Sequence, residues 1–205
     1  MFDKYWWENL FCSGDWETAG GKMQTEYFAK LILSNIPDEV SEYLSIPGTK
    51  ILDWGCALGQ AVNLFQETFP KSKVTGLDFA EKAIEKATQL YLNSSFRSNP
   101  LDVFTDHYDA IYTSNVLEHF RNPLNIVKEH ISCAGKYYIV LVPYNQGRSE
   151  GPINDGCHAY SFTEDSFPNN LYSKKFIKCY VKVIPPIRPE LWCENQILVI
   201  YERRQ

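Results

Sequence analysis

Three side chains capable of acid–base or metal chemistry fall in two short segments of this chain. Glu118 and His119 are adjacent, and His158 follows in a later segment. A histidine titrates near neutral pH, so either imidazole can take a proton from a hydroxyl or an amine. One carboxylate and two imidazoles can also hold a divalent cation with open coordination positions. The alternative is that Glu118 and His119 only cap and pack a short helix.

The segment before Glu118 predicts how these side chains are positioned. An apolar run predicts a strand over 110–114, and Asn115 lies at its end. If Asn115 opens a helical turn, the side chains three and four positions later lie on the same side. Ligands of open α/β sheets bind outside the carboxyl ends of the strands. We therefore expect Asn115, Glu118 and His119 to converge on one crevice.

Residues 51–60 (ILDWGCALGQ) predict a strand that ends in Asp53 and a turn of small residues. A helix is predicted to follow over 58–68. Such a unit places free backbone N–H groups beside a crevice, where a nucleotide-like ligand can approach the main chain. The small residues are Gly55, Ala57 and Gly59, a spacing that differs from the G-x-G-x-x-G of dinucleotide-binding folds. The side chain of Ala57 is tolerable there if its φ is negative.

A second predicted strand, residues 73–79 (KVTGLDF), ends in another acid, Asp78. It lies about 20 residues after the glycine turn, the separation at which a carboxylate reaches ribose hydroxyls. Phe79 offers an apolar face to an adenine ring. The alternative role for Asp78 is to cap the helix predicted over 80–92.

Three segments in order resemble class I S-adenosylmethionine (SAM)-dependent methyltransferases. Residues 51–60 resemble their motif I, D/E-x-G-x-G-x-G, with Ala57 at the middle glycine. Residues 73–79 match the strand that follows, and residues 108–120 (YDAIYTSNVLEHF) resemble the fourth strand of the branch with L-E-H after it. The resemblance implies SAM as cofactor and S-adenosylhomocysteine (SAH) as product. It implies cofactor contacts from nine residues: Asp53, Gly55, Cys56, Ala57, Gly59, Asp78, Phe79, Asn99 and Asn115.

Asn99 is the least constrained of these nine residues. The family usually has an acid near this position, which accepts a hydrogen bond from the adenine amino group, and the side-chain oxygen of Asn99 can accept the same bond. The alternative is an ordinary turn residue before Pro100.

The resemblance also implies two catalytic residues, His119 and His158. Residues 157–167 (CHAYSFTEDSF) resemble the H-x-x-x-F-T-x-x-x-F/L stretch after the fifth strand of many relatives, where the histidine lies near the substrate. Some relatives instead use a divalent metal, with E-x-x-E-H after strand four. Glu118, His119 and His158 are the candidate ligands for such a metal. Asn115 replaces the first glutamate of that motif, so no metal is expected.

The order of predicted elements indicates an α/β fold. We expect a single-domain, Rossmann-like methyltransferase fold with a mostly parallel seven-stranded sheet, an antiparallel C-terminal strand and helices on both faces. Residues 1–45 are predicted to form an N-terminal helical cap over the cofactor and substrate cleft, and 46–205 the core. The remaining predictions are strands over 95–97, 137–142, 176–184 and 196–201, a helix over 123–133, and a long polar loop over 144–160.

The N-terminal segment carries further candidates. Its aromatic residues Tyr5, Trp6, Trp7 and Trp16 are expected to pack its helix onto the sheet, with substrate contact as the alternative. A second helix is predicted to start at residues 20–21 and run to 33. The N-terminus of this helix and Lys22 could meet the carboxylate of the cofactor.

Composition narrows the class of protein. The chain has 205 residues and a net charge of −5, which gives no electrostatic signature for nucleic acid or an anionic membrane. Six cysteines without a C-x-x-C pair argue against a zinc site and a disulfide framework. The N-terminus does not resemble a signal peptide, and apolar runs are too short to span a bilayer. We expect a cytoplasmic enzyme; the sequence does not indicate its oligomeric state.

The function expected from the resemblance is methyl transfer from SAM to oxygen or nitrogen of a small polar acceptor, such as a sugar or a natural-product intermediate. Two alternatives stay open: a metal-assisted RNA ribose 2′-O-methyltransferase and a non-catalytic SAM-binding module. A third, an NAD-dependent oxidoreductase, disagrees with the glycine spacing. The acceptor depends on loops, which differ within the family.

Overall fold

A central mixed sheet organises the protein. The computed structural model describes residues 3–99, 106–146, 150–172 and 175–204. The strands are β1 (Lys50–Trp54), β2 (Lys73–Leu77), β3 (Ser95–Arg97), β4 (Tyr108–Ser114), β5 (Ala134–Pro143), β6 (Gly151–Asp155), β7 (His158–Ser161), β8 (Asn170–Leu171), β9 (Phe176–Ile184) and β10 (Gln196–Arg203). The α-helices are α1 (Lys4–Ser13), α2 (Asp15–Thr18), α3 (Gly21–Asn35), α4 (Asp38–Leu44), α5 (Gln60–Thr68), α6 (Glu81–Leu90) and α7 (Pro123–Cys133). Within the described ranges, no helix is both long and apolar enough to cross a bilayer.

The strand order of the main sheet is β3-β2-β1-β4-β5-β10-β9-β8. The first five strands of this order are parallel, and β10 is antiparallel to both β5 and β9. The predicted Rossmann-like architecture and the antiparallel C-terminal strand are therefore confirmed. The sheet has eight strands rather than the predicted seven. The additional strand, β8, has two residues at the sheet edge, too few to leave a period in the sequence.

Alternate residues of the central strands point to opposite layers. Ile51 packs in one cluster, where α3, α4 and α5 cover the sheet. Leu52 packs in the other cluster, which includes α7 and the segment after β7. Because both faces are covered, apolar residues of the central strands are buried on both sides of the sheet, as expected for a parallel sheet. This packing holds the carboxyl ends of β1, β2 and β4 at one edge.

The prediction of a loop over 144–160 is wrong for most of the residues in this range that the structure describes. Residues 151–161 form an antiparallel hairpin of β6 and β7, with Gly156 at φ 57° in its turn. The sequence of β6, GPIND, contains residues that are depleted in strands, so its pattern indicates a loop. The hairpin places His158 at the first position of β7, on a strand rather than on a free loop.

Glu8 on helix α1 binds the N-terminus of α6, a contact that the sequence analysis did not predict. The carboxylate of Glu8 accepts hydrogen bonds from the backbone N–H groups of Glu81 at 2.6 Å and Lys82 at 3.0 Å. These are two of the unpaired donors at a helix N-terminus, where an anion is favoured. An ion pair between Lys4 and Glu81 at 3.1 Å joins the same two helices. The N-terminal segment is thus held beside the carboxyl ends of the strands.

Candidate active site

A cavity of about 700 Å³ lies where β1, β2 and β4 end. Its volume is in the range of ordinary small-molecule sites. The walls come from four regions: the N-terminal helices, the turns after β1 and β2, the segment after β4, and the β6–β7 hairpin with Trp192. Its aromatic lining residues are Trp6, Trp7, Phe11, Trp16, Phe28, Trp54, Phe79, Phe120 and Trp192, and its polar ones include Asp53, Asp78, Asn115, Glu118, His119 and His158. The expected convergence of Asn115, Glu118 and His119 is confirmed by this lining.

The backbone amides of the small-residue turn are largely occupied within the protein. The N–H groups of Gly55 and Cys56 both donate to Leu77 O, at 2.8 and 3.1 Å, and the N–H of Gly59 donates to Cys56 O at 2.9 Å. The expectation of free N–H groups is therefore wrong for these positions. Gly55 instead allows the turn to pack closely on Val116, because an added Cβ would lie 2.5 Å from a methyl group of that residue. Its φ of 85° also favours glycine.

Ala57 lies in the left-handed region, with φ 47°. The expectation that its φ is negative is thus wrong. In this conformation Ala57 N donates to Asp78 Oδ2 at 2.9 Å. An L residue with a side chain pays roughly 1–2 kcal/mol in this region. The alanine is therefore strained at the position where relatives have glycine.

Replacing Ala57 by glycine relieves this strain. We expect Ala57→Gly to raise the free energy of unfolding by about 0.5–1 kcal/mol, because the relief outweighs the extra entropy of glycine in the unfolded chain. Urea unfolding measures the change. The matched control is Ala83→Gly in helix α6, which should lower stability by about 1 kcal/mol or more. Equal losses in both variants would contradict the strain at Ala57.

The carboxylate of Asp78 is held by two backbone amides. Oδ2 accepts from Ala57 N and Oδ1 accepts from Ala80 N, each at 2.9 Å. The capping alternative is therefore wrong: Ala80 is the N-cap of α6, and the first amides of the helix donate to Glu8 rather than to Asp78. A carboxylate has about four acceptor positions, so each oxygen keeps one for a further donor. Asp78 can hold the turn after β1 and the residue before α6 and still accept two ribose hydroxyls.

Burial raises the pKa of three carboxyl groups in this cavity. The pKa of Asp53 and of Glu118 is about 8, and that of Asp78 is about 6, in each case mainly because the ionised form is desolvated. The charge of Asp78 raises the pKa of Asp53 further, whereas the two amides on Asp78 lower its own. A cationic ligand would offset this desolvation, so the cavity favours positive charge.

Four predicted or suggested contact residues do not line the cavity. Cys56 is buried beneath the turn, and Gly59, with φ 83°, packs against the ring of Phe96 on β3. Asn99 is exposed, and so is Lys22 on α3. Gln24 and Thr25, one turn further along α3, line the cavity instead. No pattern in the sequence separates these two residues from Lys22.

Asn115 is positioned by backbone and side chain together. Its φ of 52° is a conformation that asparagine tolerates, and its N–H donates to Leu141 O at 2.8 Å. The buried amide of Gln196, oriented to satisfy its surroundings, donates to Asn115 Oδ1 at 3.2 Å and accepts from Trp192 Nε1 at 2.9 Å. Gln196 was missed by the sequence analysis because it lies on β10, far from any motif.

The two histidines meet at one end of the cavity. Their ring centroids are 5.3 Å apart in an edge-to-face arrangement. Nδ1 of His119 lies 3.0 Å from Cys157 O, so it carries the proton and donates. Nδ1 of His158 lies 3.0 Å from Gln146 Oε1, whose amide nitrogen donates to Glu194 Oε2 at 2.7 Å. In a neutral ring, both histidines thus keep the lone pair on Nε2.

Burial lowers the pKa of His119 to about 4, and the neighbouring imidazole of His158 acts in the same direction. Its ring also packs edge-on against Trp7, with centroids 5.0 Å apart. His119 is therefore neutral at physiological pH and a weak proton acceptor.

The residues that the structure groups as candidate metal ligands differ from those that the sequence predicts. Among the described residues, the ligand atoms of His119, Cys157 and His158 lie within 4.8 Å of one another. Glu118 is not part of this group. The predicted set of Glu118 with the two histidines is therefore not brought together.

The strand order and the cavity at the carboxyl ends of β1, β2 and β4 agree with a class I SAM-dependent methyltransferase, and the match to a family model shows that class. The model of the family "Methyltransferase domain" matches residues 23–155, more than half of the chain. The chain belongs to this family, and SAM is its cofactor.

Individual proteins are similar to this chain in sequence or in fold. Malonyl-[acyl-carrier protein] O-methyltransferase of Bacillus cereus is 29% identical over 114 residues, which are 52% of this chain and 41% of that enzyme. The chain thus matches less than half the length of this relative. Magnesium protoporphyrin IX methyltransferase from Synechocystis PCC 6803 with bound SAH has a TM-score of 0.65, 16% identity, and coverage of 91% of this chain and 84% of that chain. A SAM-dependent methyltransferase from Mesorhizobium loti has a TM-score of 0.58 and 19% identity, over 80% and 96% of the two chains.

The residues of the cavity fit this cofactor. Asp78 retains an acceptor position on each oxygen beside Phe79, an arrangement suited to a ribose and an adenine ring. The raised pKa values of Asp53 and Glu118 show a site in which carboxylates lack compensating positive charge. SAM carries positive charge on its sulfonium and its ammonium group. The cavity therefore offers acceptor groups for a ribose and buried carboxyl groups that a cationic ligand would stabilise in their ionised form.

Proposed function

We propose that the protein transfers the methyl group of SAM to an oxygen or nitrogen of a small polar acceptor bound beside His119 and His158. The main support for this proposal is that both histidines line the same cavity as Asp78. The histidines lie on the side of the cavity formed by the segment after β4, away from Asp78 at the end of β2. SAM supplies an activated methyl group and a good leaving group. The protein then has to hold the acceptor in line and take its proton.

Under this proposal the turn after β1 and the end of β2 hold the cofactor. Asp78 binds the ribose, Phe79 contacts adenine, and Asp53, Gly55, Ala57 and Asn115 surround the amino acid part. Cys56 and Gly59 act by building the turn. Asn99 stays a prediction for the adenine amino group and is the weakest of the set, because it is exposed.

His158 is the proposed proton acceptor. Its Nδ1–H is held by Gln146, so Nε2 presents a lone pair on a rigid strand. His119 is also proposed to contact the acceptor. The lowered pKa of His119 makes it a weak base, and we assign it a hydrogen-bonding role.

Aromatic side chains form the wall of the cavity around the acceptor. Trp192 lies 6.4 Å from His158 between ring centroids, and Trp7 lies 5.0 Å from His119. These faces suit a planar ring or the apolar face of a sugar. We propose an acceptor of this kind, such as a hydroxylated natural-product intermediate or a sugar, and helices α1–α3 as its cover.

The experiment for this function is an acceptor screen with SAM labelled in its methyl group. Pools of hydroxylated aromatic compounds, sugars and amines, and a separate RNA sample, are incubated with the protein, and label transfer is followed by mass spectrometry. Labelled product with the wild-type protein and none with Asp78→Ala would support the proposal. Label transfer only to RNA, or no transfer to any pool, would contradict it.

Gln146 gives a separate prediction for His158. We expect Gln146→Leu to lower kcat about tenfold with unchanged SAH affinity, because the imidazole loses the acceptor that fixes its tautomer. The matched control is Glu194→Gln, which keeps an acceptor oxygen for the Gln146 amide and should leave kcat within about twofold. Steady-state kinetics with an acceptor from the screen measures both. Full turnover in Gln146→Leu would show that Gln146 does not position His158 for catalysis.

A further inference from the structure

The histidine end of the cavity holds three neighbouring side chains that are ligands for soft divalent cations. Among the described residues, one ligand atom from each of His119, Cys157 and His158 lies within 4.8 Å of the other two. All three residues are partly exposed and line the cavity, so a cation can reach them. The proposed reaction uses the two imidazoles and leaves the thiol of Cys157 without a role. A thiol beside two imidazoles suits zinc-like cations better than magnesium, which prefers oxygen ligands.

We propose that His119, Cys157 and His158 form a binding site for a soft divalent cation such as Zn²⁺, and that an occupied site blocks methyl transfer. Three protein ligands leave the fourth position of a tetrahedral cation open to water. The thiol of Cys157 releases its proton to solvent as its sulfur binds the cation. This set differs from the carboxylate set for which the sequence predicts no metal, because Glu118 is not in it. The blocking of methyl transfer rests on the proposed function, whereas cation binding does not.

The separation of the three ligand atoms suits a single cation. Zinc lies roughly 2.0–2.1 Å from nitrogen and roughly 2.3 Å from sulfur, so the ligand atoms of a tetrahedral site are on the order of 3.5 Å apart. The three atoms here lie within 4.8 Å of one another. Shifts of about 1 Å therefore bring them to bonding distance. Strand β7 contacts the short 3₁₀ helix Leu117–His119, and this contact holds the two segments that carry the ligands side by side.

Both imidazoles are oriented as metal-binding imidazoles usually are. A histidine that binds a metal through one nitrogen commonly donates the N–H of the other nitrogen to a carbonyl or carboxylate oxygen. Nδ1 of His119 lies 3.0 Å from Cys157 O, and Nδ1 of His158 lies 3.0 Å from Gln146 Oε1. The amide of Gln146 in turn donates to Glu194 Oε2 at 2.7 Å. Nε2 of each ring is therefore the nitrogen left for a cation.

A cation at this site removes the base of the proposed reaction. When Nε2 of His158 binds a cation, its lone pair is no longer available for the proton of the acceptor. The proposed cofactor end of the cavity is separate, since the oxygens of Asp78 are held by the amides of Ala57 and Ala80. Cation binding should therefore stop turnover and leave the affinity for SAH unchanged.

Cation binding is tested with tag-free protein, using Co²⁺ as a spectroscopic probe and Zn²⁺ as its competitor. Cobalt bound to a thiolate gives a charge-transfer absorption in the near ultraviolet. The wild type should show this band, Zn²⁺ should abolish it, and excess Mg²⁺ should not. Cys157→Ser should lose the band and weaken Zn²⁺ affinity by about a hundredfold or more, since loss of an outer-shell partner alone costs roughly 10–100-fold. The matched control is Cys179→Ser, which removes an exposed thiol on β9 outside the cavity and should bind both cations as the wild type does.

The absorption band decides the assignment of the site. Its loss in Cys157→Ser and its retention in Cys179→Ser support the proposal, provided that thermal unfolding without metal shows both variants to be folded. A wild-type protein without the band, or equal bands in the two variants, overturns the proposal while leaving the proposed function intact. Gln146→Leu keeps all three ligands and should weaken Zn²⁺ binding about tenfold. Unchanged Zn²⁺ affinity in this variant would overturn the assignment of His158 as a ligand.

Inhibition is tested by titrating Zn²⁺ into the methyl-transfer assay with an acceptor from the screen. Turnover of the wild type and of Cys179→Ser should fall as the site fills, whereas turnover of Cys157→Ser should fall only at about hundredfold higher Zn²⁺ concentration. Wild-type turnover that bound Zn²⁺ leaves unchanged or raises would overturn the inhibitory role. If the screen yields no acceptor, the proposed function and the inhibitory role fall together, and the cobalt band still decides whether the cation site exists.

Discussion

Asp78→Asn is expected to weaken SAH binding by about a hundredfold. The substitution replaces one carboxylate oxygen by an amino group, which removes a ribose acceptor and one of the bonds that hold the side chain to the turn. Hydrogen bonds to charged groups contribute roughly 1.5–3 kcal/mol each, and about 2.7 kcal/mol corresponds to a hundredfold change in Kd. Calorimetric titration with SAH measures the effect.

Asp109→Asn is the matched control for this prediction. The carboxylate of Asp109 also accepts a backbone hydrogen bond, from Lys50 N at 2.8 Å, but it lies at the opposite end of the strands and does not line the cavity. We expect its SAH affinity to equal that of the wild type. Wild-type affinity in Asp78→Asn would show that Asp78 only holds the backbone at Ala57 and Ala80.

His158→Ala is expected to lower kcat by about a hundredfold or more, with little change in SAH affinity. General base catalysis contributes roughly 10²–10⁴-fold, and the variant removes the proposed base while leaving the cofactor end of the cavity intact. His119→Ala should have a smaller effect on kcat, because burial lowers the pKa of His119 to about 4. Single-turnover kinetics separates the chemical step from acceptor binding.

His107→Ala serves as the control for the histidine variants, since His107 is exposed and does not line the cavity. Its kcat should match that of the wild type. If His158→Ala and His119→Ala both keep full turnover and normal cofactor binding, neither histidine takes the proton. The protein would then act through positioning alone.

The core of the fold was predictable because its signals are local. The helix over 123–133 and the strands over 95–97 and 176–184 have the bounds that the sequence predicts. The helix has an apolar period and the strand over 176–184 has a long β-rich run, whereas the strand over 95–97 is marked by the turn residues that follow it. The strand β8 and the β6–β7 hairpin were missed because a two-residue strand and a strand rich in Gly, Pro and Asn depend on long-range pairing.

The candidate site was predictable in its residues but less so in its geometry. Motif spacing located Asp78 and His119, both of which line the cavity. Spacing does not show the positive φ of Ala57 or the bond of its amide to Asp78, a contact across 21 positions. Gln146 and Glu8 act through long-range contacts and belong to no motif.

The most direct test of the account is a crystal structure of the protein with SAH. We predict that the ribose hydroxyls donate to Asp78, that adenine contacts Phe79, and that the sulfur lies beside Glu118 with its open side toward His158. This arrangement would place the acceptor between the sulfur of the cofactor and His158, in line for methyl transfer. SAH bound outside this cavity, or bound in it with the sulfur turned away from both histidines, would contradict the proposed site.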